Sequence, residues 1–206
     1  MPKTSKTEKI DLYKLHKSDY VTPREPVLVK IGAARYLTID GQGAPSGAEF
    51  QAKIGALYGV AYTIKMTYKF GGKQDYKVCG LEGLWWCSDV KHWMSQPRES
   101  WQWKLMIRVP EFLVARDLKE AAAKLVEKGK GELGGQVRLE RITEGRSVQV
   151  LHVGSYASEP ETLKRMEAFA EANGLKFHGR HHEIYLSDPR RVAPEKLRTI
   201  LRHPLA

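Results

Sequence analysis

The chain has 206 residues and carries 34 Lys and Arg against 24 Asp and Glu, a formal net charge of +10. Its 42% hydrophobic and 28% charged content is that of a folded globular protein, which excludes a disordered or collagen-like chain. No apolar run approaches the roughly 20 residues of a membrane-spanning helix, and the first 20 residues lack the apolar core of a signal peptide. The expected location is therefore the cytoplasm. Two cysteines, Cys79 and Cys87, agree with a reducing compartment and cannot by themselves supply a thiolate zinc site. The charge excess sits at the ends: residues 1–30 are net +3, residues 176–206 net +4, and the long stretch between them only +3. No block of five like charges occurs. Solvated termini explain this pattern as well as a nucleic-acid stripe does.

In chain order, residues 1–22 read as a polar arm that ends at the turn signals Pro23 and Pro26. Val27–Ile31 and Tyr36–Asp40 read as short strands, and Gly41–Ser46 as a loop. Ser46-Gly-Ala-Glu49 has the spacing of a capping box. Phe50, Ile54, Leu57, Tyr58 and Ala61 then recur at helical spacing as far as Gly71-Gly72. Residues 76–87 and 101–109 read as strands. A second helix is expected over about 116–128, then strands over Val137–Ile142 and Ser147–Val153. Ser158-Glu-Pro-Glu161 repeats the capping box, with Pro160 tolerated in the first turn. Leu163, Met166, Phe169 and Ala170 make a third helix face, and Phe177–Leu186 a last strand region. Residues 189–206 read as a polar tail with a short helix over Pro194–Leu201.

The halves match in pattern. LTIDGQGAPSGAEF (37–50) and VLHVGSYASEPETL (150–163) each run strand, Gly, loop, capping box, helix. A strand with one glutamate beside aromatics follows in each: GLEGLWW (80–86) and HHEIYLS (181–187). The fold class implied is α+β: two tandem strand–helix–strand–strand modules in a pseudo-symmetric antiparallel sheet. Helices are expected on one side of the sheet and a ligand groove on the other. Matching the two glutamates puts Glu82, Leu84 and Trp86 on one face with Glu183, Tyr185 and Ser187. Leu81, Gly83 and Trp85 then join His182, Ile184 and Leu186 under the helices.

A carboxylate among aromatic rings is desolvated, so its charge favours an incoming cation. Ring faces add cation–π attraction of about 0.5–2 kcal/mol. The same group can take a proton from water. A glutamate on a strand can equally be an exposed or salt-bridged residue. All five tryptophans, Trp85, Trp86, Trp93, Trp101 and Trp103, fall within 19 residues. One or two belong to the core, and a ligand cage would take two or three. His178-x-x-His181-His182 lacks the spacing and thiolates of a metal site. Ser155 lacks the nucleophile-elbow context of a serine hydrolase. Gly41-x-Gly43 is too short for a dinucleotide fingerprint. No metal or cofactor is called for.

PREPVLV (23–29), FQAKIGALYGVAYTIK (50–65), LEGLWW (81–86) and HHEIYLSDPRRVAPEKLRTILRHP (181–204) resemble the GyrI-like small-molecule-binding family. The resemblance covers the chain from about residue 20. It implies two tandem SHS2 modules over 23–206, a first repeat over about 23–112, a second over about 113–188, and the tail over 189–206. In multidrug-sensing members of that family a buried glutamate lies at the base of an aromatic pocket for lipophilic cations, and Glu183 matches it. Only about 25 residues precede the first strand, too few for a DNA-binding module, which implies a stand-alone protein. Some stand-alone members hydrolyse cyclopropane-bearing, DNA-alkylating compounds. By resemblance, Trp86, Trp103, Tyr156 and Tyr185 are cage candidates, and Glu183 and Glu82 candidates for activating water. A one-residue register slip exchanges Trp85 and Trp86, so both remain candidates. Three readings stand. The first is binding and sequestration of planar aromatic or cationic small molecules. The second is hydrolysis of an electrophilic ring. The third is interaction with nucleic acid or another partner through the basic ends.

Overall fold

The computed structural model describes residues 8–87 and 96–206. Trp93, with the rest of 88–95, lies outside the described residues. Eight strands form one antiparallel sheet: β1 (Val27–Ile31), β2 (Ala34–Gln42), β3 (Glu82–Trp86), β4 (Gln102–Val109), β5 (Arg138–Ile142), β6 (Gly145–Val153), β7 (His181–Tyr185) and β8 (Arg198–Pro204). Their order is β1-β6-β8-β7-β3-β4-β2-β5. Three long helices join them: α3 (Ala48–Phe70), α4 (Ala115–Glu127) and α5 (Glu159–Ala172). Two single-turn helices precede β1, namely α1 (Leu12–Leu15) and α2 (Lys17–Tyr20). The protein is α+β, and the repeat is explicit. β2-α3-β3-β4 and β6-α5-β7-β8 are the same strand–helix–strand–strand unit, and β3 pairs with β7 where the two units meet.

The connections force the sheet to curl. β1 and β2 are six strand spacings apart in the sheet, about 29 Å if it were flat. The two residues between them, Gly32 and Ala33, span only about 10 Å. Thr143 and Glu144 make the same demand between β5 and β6, which also lie six spacings apart. Curling brings both edges round, and each module's leading strand pairs with the other module: β1 with β6, and β5 with β2.

The two faces of the sheet hold different chemistry. On the helix-covered face Leu37, Ile39, Trp103, Leu105 and Ile107 pack under α3, with Leu57, Val60 and Ile64 of that helix. Val148, Val150 and Leu201 pack with Met166 of α5. The inner, concave face is covered by the N-terminal arm. There the Tyr20 hydroxyl donates to Glu82, and Asp19 pairs with Arg108, while Ile10, bridged to Tyr76, and Leu12 pack with the helix-side core and the Tyr13 hydroxyl accepts from the Gly80 amide. The polar composition of residues 8–22 therefore conceals a packed strap. Among the described residues no helix is long and apolar enough to cross a membrane.

The C-terminal segment differs most from expectation. Residues 198–204 form β8, which lies between β6 and β7, with Thr199–His203 buried. Only Pro194–Lys196 is helical, as a single 3-10 turn. Arg202 makes the segment read as a tail, yet it is 1% exposed because Glu144, Gln149 and the Asp19 carbonyl receive its guanidinium. Neither expected capping box forms. The α3 N-cap is Gly47, and Glu49 pairs with Lys53 at 2.7 Å. The Ser158 hydroxyl donates to the Ser155 carbonyl at 2.7 Å instead, because a 3-10 turn leads directly into α5.

Candidate functional site

A cavity of about 990 Å³ opens on the helix-bearing face, above the β3–β7 junction. That is at the upper end of small-molecule sites. Phe50, Ile54, Tyr58 and Tyr62 of α3 wall one side, and Tyr156 and Glu159 at the start of α5 the other. Trp85, Glu183 and Tyr185 of the central strands, with Trp101, complete the lining. The opposite face, where the groove is expected from the sequence, is filled by the arm and a charged network.

Register explains the difference. Gly83, not Glu82, lies opposite Glu183. Paired residues share a face, so Trp85, Glu183 and Tyr185 point into the cavity. Glu82, Leu84 and Trp86 point with His182 and Ile184 to the concave side. Gly83 leaves room at the junction, since a Cβ there would sit 3.0 Å from Trp85 Nε1 and 3.5 Å from the Tyr185 hydroxyl.

Glu183 is 6% exposed. Its carboxylate accepts from the Tyr185 hydroxyl at 2.6 Å, and that hydroxyl accepts from Trp85 Nε1 at 3.2 Å. The His181 ring lies 3.7 Å away. Burial holds that imidazole neutral, its pKa well below the usual value, so it does not offset the Glu183 charge. Desolvation raises the Glu183 pKa to about 7, against the lowering pull of Tyr185 and His182. Near neutral pH the group can therefore accept a proton or carry a charge. The rings above it form a wall: Phe50 stacks on Trp85 at 5.7 Å, Trp101 meets Trp85 edge-on at 5.9 Å, and Tyr156 meets Tyr185 edge-on at 6.0 Å.

Of the residues singled out from the sequence, Trp85, Tyr156, Glu183 and Tyr185 line the cavity. Glu82, Trp86 and Trp103 lie elsewhere. Glu82 is fully buried on the concave side, accepting from the Tyr20 hydroxyl at 3.2 Å and from His182 Nε2 at 3.0 Å. His182 Nδ1 faces Glu144 at 2.9 Å, and these two carboxylates raise the His182 pKa to about 9 against its burial. Glu144 is held at about 2 despite its burial, by His182 and Arg202. Arg108 joins the network through Asp19 at 2.8 Å and Tyr20 at 3.2 Å. Trp86 is stacked beneath the Arg180 guanidinium, 3.6 Å from its ring centre, on the same side as Glu82. Trp103 is core: it is wholly buried against Phe50, and its indole N–H donates to the Gly43 carbonyl at 3.1 Å.

Sequence reasoning missed Glu159, Phe50, Tyr58 and Trp101 as cavity residues. Glu159 lay inside a segment read as a capping box, and the apolar groups of α3 read as core. The signal available was the helical spacing of Phe50, Ile54, Tyr58 and Tyr62, which places two phenols on an otherwise apolar stripe.

An α+β sheet with a carboxylate at the base of an aromatic cavity defines a small-molecule-binding protein. The chain belongs to the GyrI-like small-molecule-binding domain family, whose model matches residues 24–206. Among solved structures it is similar to a hydrolase from Listeria innocua, with 37% identity, a TM-score of 0.86, and coverage of 96% of this chain and 100% of that one. An uncharacterized conserved protein from Listeria innocua is 38% identical, with a TM-score of 0.87 and coverage of 96% and 100%. The C-terminal domain of EcmrR shares the fold at 13% identity, with a TM-score of 0.57 and coverage of 88% and 97%. No curated protein matches the chain.

Proposed function

We propose that the cavity binds planar aromatic or amphipathic cations of xenobiotic type, and that the protein sequesters or detoxifies them in the cytoplasm. The observation that carries this reading is Glu183: a buried carboxylate whose side-chain hydrogen bond comes from a neutral tyrosine, at the base of a large aromatic cavity. A cation entering there gains the charge that burial leaves uncompensated, and the ring faces of Trp85, Trp101 and Tyr185 add to the attraction. N-methylacridinium is a suitable probe, because its absorption overlaps tryptophan emission and it would quench Trp85 and Trp101. At pH 8 the wild type should bind it, and Glu183→Gln should bind it at least tenfold more weakly with a melting temperature no lower than that of the wild type. Equal binding by both proteins contradicts the reading.

The likeness to a hydrolase at 37% identity favours a second reading, ring-opening hydrolysis. Here Glu183 takes a proton from water as the water oxygen bonds to a strained ring carbon. The ring C–C bond breaks, and its electron pair passes to a conjugated acceptor that then gains a proton. Glu82 has no part in this reading, since it faces the other side of the sheet. Turnover of an activated cyclopropane, followed by the loss of its chromophore, should vanish in Glu183→Gln and persist in Glu82→Gln protein that remains folded.

A further inference from the structure

Glu159 is the first residue of α5, and it lines the same cavity as Glu183. It is 3% exposed, and its Oε1 is buried with no hydrogen-bond partner among the described residues. Buried carboxyl oxygens are ordinarily satisfied, so an orphan oxygen at a cavity wall is a group awaiting a ligand. A helix N-terminus by itself favours the charged form. Here burial, then repulsion from Glu183, push the Glu159 pKa well above the usual carboxylate range. The arginines that line the cavity do not offset this. Arg190 is solvent-exposed and held by both carboxylate oxygens of Asp188, and exposed Arg98 lies over the Trp101 ring. Tyr156 and Tyr185, the phenols beside the two glutamates, are themselves pushed up by burial and by those carboxylates, so they stay neutral.

Two carboxyl groups in one desolvated site do not both ionise near neutral pH. Glu183 already accepts from Tyr185, which stabilises its charged form, whereas Glu159 Oε1 has no donor among the described residues. Burial and the nearby Glu183 charge therefore favour the protonated form of Glu159. We propose that Glu159 is a specificity-determining residue whose carboxylic acid donates a hydrogen bond to an acceptor on the ligand. The cavity would then select planar molecules that carry a carbonyl or ether oxygen in addition to the cations that Glu183 attracts. This rests on the reading that the cavity is a small-molecule site.

The test uses two probes of one outline. N-methylacridinium is a cation without a carbonyl, and N-methylacridone is neutral with a carbonyl on the central ring. Both are titrated at pH 7.5 by tryptophan quenching against the full chain, with circular dichroism confirming the fold of each variant. The readout is the ratio of acridone to acridinium affinity. Glu159→Leu removes the donor and should lower this ratio about tenfold, the worth of one hydrogen bond in such a site. Glu159→Gln keeps an N–H donor and should hold the ratio within about threefold of wild type. Glu183→Gln should move it the opposite way. An unchanged ratio in Glu159→Leu, with both probes still bound, overturns the role of Glu159 and leaves the cavity reading intact. Failure of the wild type to bind either probe overturns both.

Discussion

The imidazole of His182 holds two carboxylates together inside the protein. Its nitrogens face Glu82 and Glu144, all three side chains are buried, and its pKa is raised to about 9. A raised pKa means that the stabilisation is fully present below the unfolded value of about 6.5 and is lost as pH rises through about 9. His182→Leu should destabilise the protein by about 3–5 kcal/mol at pH 7, because it removes the imidazole partner of buried Glu82 and one of the two partners of Glu144, which keeps Arg202. Urea denaturation measures this, and a change below about 1 kcal/mol would contradict the arrangement. Gly41 makes a second residue-scale demand. A Cβ there would sit 2.0 Å from Cη2 of Trp103, its partner across the β2–β4 ladder. Gly41→Ala should cost about 1–3 kcal/mol by overpacking, in the same denaturation experiment.

Among the elements, β8 shows where sequence legibility stops. Alternation identified β4 well, since Trp103, Leu105 and Ile107 face α3, although Arg108 on its other face is buried against the distant Asp19 and Tyr20. β8 has no such alternation: Thr199–His203 are buried on both faces, and Arg202 and His203 made the segment look solvated. The partners that allow Arg202 to be buried come from residues 53 and 58 positions away, Gln149 and Glu144, which local patterning cannot see. Glu144 itself lies in the two-residue connection between β5 and β6. The duplicated strand–helix order was legible because each module writes it out in full. Matching glutamate to glutamate, however, misplaced the groove by one residue of register, enough to exchange the faces of a strand. Ending the chain at Ser187 removes the strand between β6 and β7, so such protein should lose its cooperative thermal transition. Retention of that transition would show β8 to be dispensable.

At the scale of the whole molecule, the two modules have diverged in what they bury on the helix side. The first packs tryptophan and aliphatic groups under α3. The second holds His181 and His203 there, with His203 stacked on Phe177 at 4.1 Å. Burial lowers the His203 pKa to about 4 and that of His181 well below its usual value. The unfolded chain takes up these protons below about 6.5 and the folded one does not, so stability should fall as pH drops from 6.5 toward 4. Glu183 acts oppositely: ionised above about 4.5 when unfolded but near 7 when folded, it lowers stability as pH rises across that interval. His203→Phe isolates one contribution. Its loss of stability between pH 6.5 and 4 should be smaller than that of the wild type by roughly 3 kcal/mol, the equivalent of a shift from 6.5 to about 4. Identical slopes would mean that His203 titrates normally.

The curled sheet, the strap over its concave face and the glycine opposite Glu183 all serve to leave one carboxylate desolvated beneath aromatic rings. The pH profile of cation binding tests that claim most directly. N-methylacridinium keeps its charge across the range, so any change in affinity between pH 5.5 and 8.5 reports the protein. With Glu183 titrating at about 7, affinity should fall about tenfold for each pH unit below 7 and level off above it. The profile should be flat in Glu183→Gln. A flat profile in the wild type, or the same slope in both proteins, would contradict the assignment of Glu183 as the charge that receives the ligand.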